Sequence, residues 1–283
     1  MTATVYDDRI CALGEGPLWH PERRQLFWFD ILGKRMLSRD GDRVLDWQFD
    51  AHVSAAGWVD RDTLLIASDC ALLRFDLVTG NAVQVLPLES DNAVTRSNDG
   101  RADPWGGFWI GTMGLDADDR AGAIYRFHGG TLTKLFGGLT IPNAICFAPD
   151  RRSACFTDTA TQQVMRVALT ADGWPAAPPE TFLDLRDADM SPDGAVFDAD
   201  GAIWVAKWGS SRVSRYAPNG SLLSTIDLPA TQITCPAFGG DDLRTLFATS
   251  AAIDMKGAQD GMTFAAPSGV VGQREPRVTL GDA

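Results

Sequence analysis

The sequence predicts an all-β protein folded as a six-bladed β-propeller. Three observations lead there. Long helical periodicity is missing, and short apolar runs alternate with turn signals such as Asp-Gly, Pro-Asn-Gly and Gly-Gly. A similar unit recurs six times, its copies beginning at Glu15, Ala55, Asn98, Asn143, Asp193 and Thr234. The copies lie roughly 40–50 residues apart and each holds four short strand patterns, which is the period of a propeller blade.

Each unit starts with a strand and a tight turn rich in Pro, Asp or Gly, then a second apolar strand. Examples are EGPLWHPERRQLFWFD from Glu15 and NAICFAPDRRSACFTD from Asn143. His20 falls in the first of these turns, and Asp198 in the corresponding turn of the fifth unit. Trp28, Trp109 and Trp204 sit on second strands, where they are expected to pack between blades. A third strand often carries Arg before an apolar residue, as in Arg74-Phe75, Arg126-Phe127, Arg166-Val167 and Arg215-Tyr216. A fourth short run follows, as at residues 82–88 and 222–228. The run at residues 4–10 is expected to pair with the last blade and fasten the ring. Residues 1–283 are thus read as one propeller domain.

Composition excludes several function classes. The formal net charge of −12 argues against nucleic-acid binding. No apolar run reaches the length of a membrane span. The N-terminal residues lack a basic segment followed by an apolar core, so a cytoplasmic protein is expected. The five cysteines are scattered without a C-x-x-C pair and read as reduced thiols. There is no G-x-S-x-G, which disfavours a serine hydrolase.

The register of the repeat points to a site. The six starting residues occupy one equivalent position on the innermost strands, around the propeller axis. Two carboxylates and two amides among Glu15, Ala55, Asn98, Asn143, Asp193 and Thr234 are unusual for a core. Glu15, Asn143 and Asp193 together offer the oxygen donors of a hard divalent cation, with positions left for water. The alternative is that these groups solvate a water-filled channel.

The segments LGEGPLW (13–19), RSNDGRADPWGGFWIGTM (96–113), GAIYRF (122–127), IPNAICFAPD (141–150), SPDGAVFDADGAIWVAKWG (191–209) and FGGDDLRTLFATSA (238–251) run across nearly the whole chain. In order and spacing the chain resembles the SMP-30/gluconolactonase/regucalcin-like family. The resemblance implies a six-bladed propeller with one divalent metal ion in its central channel. Calcium, zinc, magnesium, manganese and iron(II) all suit such a donor set. It also implies hydrolysis of a sugar-acid lactone to the open-chain aldonic acid. Carried onto this sequence, the metal ligands are Glu15, Asn143 and Asp193, with Asp193 also the candidate catalytic acid/base. Substrate binding falls to Arg96 and Asn98, and to Asp116 in the loop at residues 114–121, where Asp stands in place of the expected Glu. The expected partner is a small-molecule sugar lactone, with neither nucleic acid nor membrane involved. Two other roles are compatible with the resemblance: a non-enzymatic calcium-binding regulator, and a hydrolase of other esters.

Overall fold

The computed structural model describes residues 2–281. Its strands form six four-stranded antiparallel sheets, the blades of a propeller. The innermost strands of blades one to six are Gly14–His20, Val53–Asp60, Thr95–Ala102, Pro142–Phe147, Ser191–Phe197 and Gln232–Gly239. Each packs against the inner strands of both neighbours, so the ring closes around an axis. No helix among the described residues is long and apolar enough to cross a membrane.

Blade six is built from both ends of the chain. After its inner strand come Thr245–Ala251 and Thr263–Pro267, and the outermost strand is Thr4–Asp7. Thr4 stands opposite Ala265 and Val5 opposite Phe264. The strand ends at Asp7, short of residue 10, because Asp7 turns to hold Arg9, whose Nε donates to Asp7 Oδ1 at 2.8 Å. Arg9 reaches on to the carbonyls of Ser38 and Leu45 in blade one, at 2.9 and 2.8 Å. Residues 8–10 therefore cross from the last blade to the first.

The apolar core is divided into six clusters, one between each pair of adjacent blades. Blades five and six, for example, meet through Trp204, Val213 and Ile226 on one side and Phe238, Leu246 and Phe264 on the other. The second-strand tryptophans lie in these seams as expected. Trp109 meets Phe147 of blade four edge-on at 5.2 Å, and Trp204 meets Phe238 of blade six at 5.8 Å. Because apolar burial is completed between blades, the axis is left to polar groups.

Turn chemistry explains the Asp and Arg of the repeat. Asp198 Oδ1 accepts the N–H groups of Asp200 and Ala202, and its Oδ2 accepts Trp204 Nε1 and Arg215 Nε. Asp103 plays the same part in blade three, where Arg126 Nε donates to its Oδ2 at 2.7 Å. His20 is likewise structural: its Nδ1 accepts the N–H of Arg23, and Nε2 meets the Asp60 carbonyl at 3.0 Å. All five cysteines are free; four are buried and Cys70 is exposed.

Residues 268–281 form no strand, yet they cross the end of the channel where the inner strands finish. Gln273 Nε2 donates to the carbonyls of Phe147 and Phe197 at 3.1 and 3.4 Å. The Val278 N–H donates to the Trp58 carbonyl at 2.8 Å. Glu275 is buried against Arg101, which rises from blade three into the axis. The tail thereby closes one mouth of the channel.

Candidate active site in the central channel

At the opposite end, where the inner strands begin, lies a cavity of about 450 Å³. Glu15, Arg96, Asn98, Asn143 and Asp193 all line it. A feature of the backbone brings them there. Every inner strand loses register with its neighbour at this level: at Glu15/Leu18, Val53/Ala55, Ser97/Gly100, Asn143/Cys146, Pro192/Ala195 and Ile233/Pro236. A bulge breaks the in-out alternation and re-aims side chains. Gly16 shows how tight the break is. It has φ +52° and its absent Cβ would lie 2.2 Å from the Ser54 carbonyl oxygen.

The six ring positions have different fates. Glu15, Asn98, Asn143 and Asp193 face the cavity and are 3–5% exposed. Ala55 is buried among apolar residues of blades two and three. Thr234 turns its hydroxyl to the Gly14 carbonyl at 2.6 Å. Asp30 and Asp158, on second strands, brace the chain just before two of the cavity residues. Asp30 Oδ1 accepts the Leu13 N–H, and Asp158 accepts the N–H groups of Thr140 and Ile141.

Burial and mutual repulsion favour the neutral form of both cavity carboxyls, and a bound cation would reverse that. Burial raises the Glu15 carboxyl to about 8, with repulsion from Asp99 adding to it. Burial also drives Asp193 well above the usual carboxylate range, reinforced by the charges of Glu15 and Asp99. Asp193 Oδ1 is buried without any hydrogen-bond partner. Two buried carboxylates, one of them with an orphaned oxygen, beside an amide oxygen form a donor set fitted to a hard cation. Among the described residues no third carboxylate, histidine or cysteine joins them closely enough to complete a metal cluster. The amide of Asn143 is the neutral oxygen beside the two carboxylates in the cavity lining.

Arg96 approaches this set without neutralising it. Its Nη1 donates to the Ser97 carbonyl at 2.9 Å and to Asn98 Oδ1 at 2.8 Å. Burial lowers it to about 10 while Glu15 pulls the other way, so it remains a cation at neutral pH. Asn98 is more committed than a free substrate contact would be. Its Nδ2 donates to Asn143 Oδ1 at 2.9 Å and to the Pro142 carbonyl at 3.1 Å.

Asp116 does not join them. It lies exposed on the turn after Phe108–Gly114 and is absent from the cavity lining. The short carboxylate stays in solvent beside Ala117, whose φ is +55°. Several residues that the repeat did not single out do matter. Asp99 is buried beneath Glu15 and Asp193, with Oδ2 accepting the Ile145 N–H at 2.7 Å. Its signal was the acidic residue directly after Asn98, but simple alternation points it away from the axis. Leu13, Met113, Ile141 and Trp208 supply apolar wall. Lys207, beside Trp208, points elsewhere: it is fully buried with Nζ unpartnered, 4.9 Å from the Tyr216 ring centroid.

Fold and cavity together define a six-bladed propeller with an acidic, amide-bearing pocket in its channel. Residues 13–252 match the model of the SMP-30/Gluconolactonase/LRE-like region, and the chain belongs to that family. A pentonolactonase of Haloferax volcanii is 34% identical over 260 residues, covering 91% of this chain and 88% of that protein. A 6-deoxy-6-sulfogluconolactonase of Pseudomonas putida is 32% identical over 276 residues, covering 93% and 94%. Among solved structures, a calcium-binding protein, regucalcin, from Agrobacterium tumefaciens superposes with a TM-score of 0.94 at 38% identity. That match covers 97% of this chain and 96% of the other.

Proposed function

We propose that this lactonase opens the ring of an aldonolactone at a divalent cation held by Glu15, Asn143 and Asp193. The observation that carries the reading is the orphaned, buried Asp193 Oδ1 beside the Glu15 carboxylate and the Asn143 amide. When bound, such an ion makes the lactone carbonyl more electrophilic and a neighbouring water more acidic. The rest is done by side chains of the chain itself. Arg96, fixed in charge and with only Nη1 engaged, offers its remaining N–H groups to the hydroxyls and carbonyl of a polyhydroxylated ring. Asp193, with Oδ1 free of hydrogen bonds, is the group assigned to hold the proton released by the attacking water and return it to the departing ring oxygen. Leu13, Met113, Ile141 and Trp208 cover apolar faces of the sugar and exclude bulk water.

A purely calcium-binding role would use the same three donors. The unengaged nitrogens of the Arg96 guanidinium in a cavity of about 450 Å³ favour a substrate site. The test is acid release from a panel of aldonolactones, including pentono- and hexonolactones, with chelator-treated protein and each metal added back. Metal-dependent acceleration on at least one lactone is expected. Release no faster than spontaneous opening on every lactone refutes the enzyme reading.

A further inference from the structure

Asn143 is held by a directed chain of hydrogen bonds that runs from blade three to blade five. Arg96 Nη1 donates to Asn98 Oδ1 at 2.8 Å, and Asn98 Nδ2 donates to Asn143 Oδ1 at 2.9 Å. Asn143 Nδ2 then donates to Thr159 Oγ1 at 3.0 Å, and the Thr159 hydroxyl donates to the Pro192 carbonyl at 2.8 Å. The two ends force the direction of every link. A guanidinium can only donate and a backbone carbonyl can only accept. Turning the Asn143 amide over would set its Nδ2 against Asn98 Nδ2, donor to donor, and would present N–H groups to any cation in the channel.

Thr159 is the one member of this chain that does not belong to an innermost strand. It opens the short turn Thr159–Thr161 after the second strand of blade four, and its own N–H donates to the Ile141 carbonyl at 2.9 Å. Its hydroxyl accepts from the amide of Asn143 and donates to the residue just before Asp193. One hydroxyl thus sets the orientation of one candidate ligand and ties down the backbone beside another.

We propose that Thr159 is a positioning residue for the cation site, keeping Asn143 Nδ2 engaged so that Asn143 Oδ1 is the atom presented to the ion. The proposal rests on the reading of Glu15, Asn143 and Asp193 as ligands. Removing the hydroxyl leaves Asn143 Nδ2 without an acceptor and frees the amide to rotate. Loss of such an orienting partner typically weakens metal affinity about 10–100-fold.

The test is calorimetric titration of calcium, magnesium, manganese, zinc and (anaerobically) iron(II), each separately, into chelator-treated wild type, Thr159→Val and Thr159→Ser. Wild type is expected to bind at least one of these ions. For that ion the Val variant is expected to show a Kd about 10–100-fold higher, with affinity largely restored in the Ser variant. Should the Val protein fail to fold, Thr159→Ala takes its place. Equal affinity in wild type and the Val or Ala variant overturns the proposal while the metal site stands. Equal losses in Val and Ser also overturn it, because the hydroxyl is then not what matters. A wild type that binds none of these five ions overturns the metal reading itself, and the proposal with it.

Discussion

Lys207 should lower the stability of the protein, and by a pH-dependent amount. It stands on the second strand of blade five, fully buried, with no hydrogen-bond partner for Nζ and only the Tyr216 ring, 4.9 Å to its centroid, beside it. Burial alone lowers its pKa from 10.5 to about 7. In the unfolded chain it keeps the ordinary lysine value near 10.4. Between these two values unfolding takes up a proton, so falling pH favours the unfolded state. The stability lost through Lys207 therefore grows as pH drops from about 10 to about 7 and is constant below that. Three to four units at about 1.36 kcal/mol each set an upper figure of roughly 5 kcal/mol. Relaxation and water penetration reduce it, and a gain of about 2–4 kcal/mol for Lys207→Met at pH 7 is the working expectation. Urea unfolding of both proteins at several pH values from 6 to 10 is the assay. The two midpoints should be far apart at pH 6–7 and converge toward pH 10. A Met variant less stable than wild type at pH 7, or a gap that does not change with pH, refutes the reasoning.

Three other perturbations follow from the same structure. Deleting residues 2–10 removes the outermost strand of blade six and the Arg9 bridge to blade one, so the melting temperature should fall by several degrees or more; an unchanged value contradicts the ring-closing role. Glu275→Gln leaves Arg101 buried without its countercharge and should cost about 3–5 kcal/mol in denaturant unfolding, whereas a neutral effect means that the tail does not hold the channel floor. Arg96→Ala should raise KM for a lactone roughly tenfold or more while kcat falls less, and the opposite split removes Arg96 from substrate binding.

Much of this architecture was legible because a propeller repeats its own sequence. Aligning six units placed Glu15, Asn98, Asn143 and Asp193 at one level, and all four line the cavity. What the repeat could not carry was anything outside its period. The tail at residues 268–281 has no strand pattern, since its hydrogen bonds go to the ends of other blades rather than to a neighbouring strand. Asp99 was hidden by the register break between Ser97 and Gly100, which puts two consecutive polar residues into the axis where alternation allows one. Asp116 was expected in the site by resemblance alone, and the short Asp side chain stays on an exposed turn. Thr159 directly follows the second strand of its blade and Lys207 stands near the end of its own, yet Thr159 faces the cavity and Lys207 lies against the Tyr216 ring. That choice is set by packing with adjacent blades, which no single repeat contains.

Everything proposed for the site depends on one cation, held by Glu15, Asn143 and Asp193, governing lactone opening. The most direct measurement follows metal occupancy and acid release together in the same chelator-treated samples of wild type and Asp193→Ala. One ion is expected per wild-type chain, with hydrolysis rising in proportion to occupancy and both lost in the variant. Full hydrolysis by metal-free wild type, or an Asp193→Ala protein that remains fully active, would contradict it.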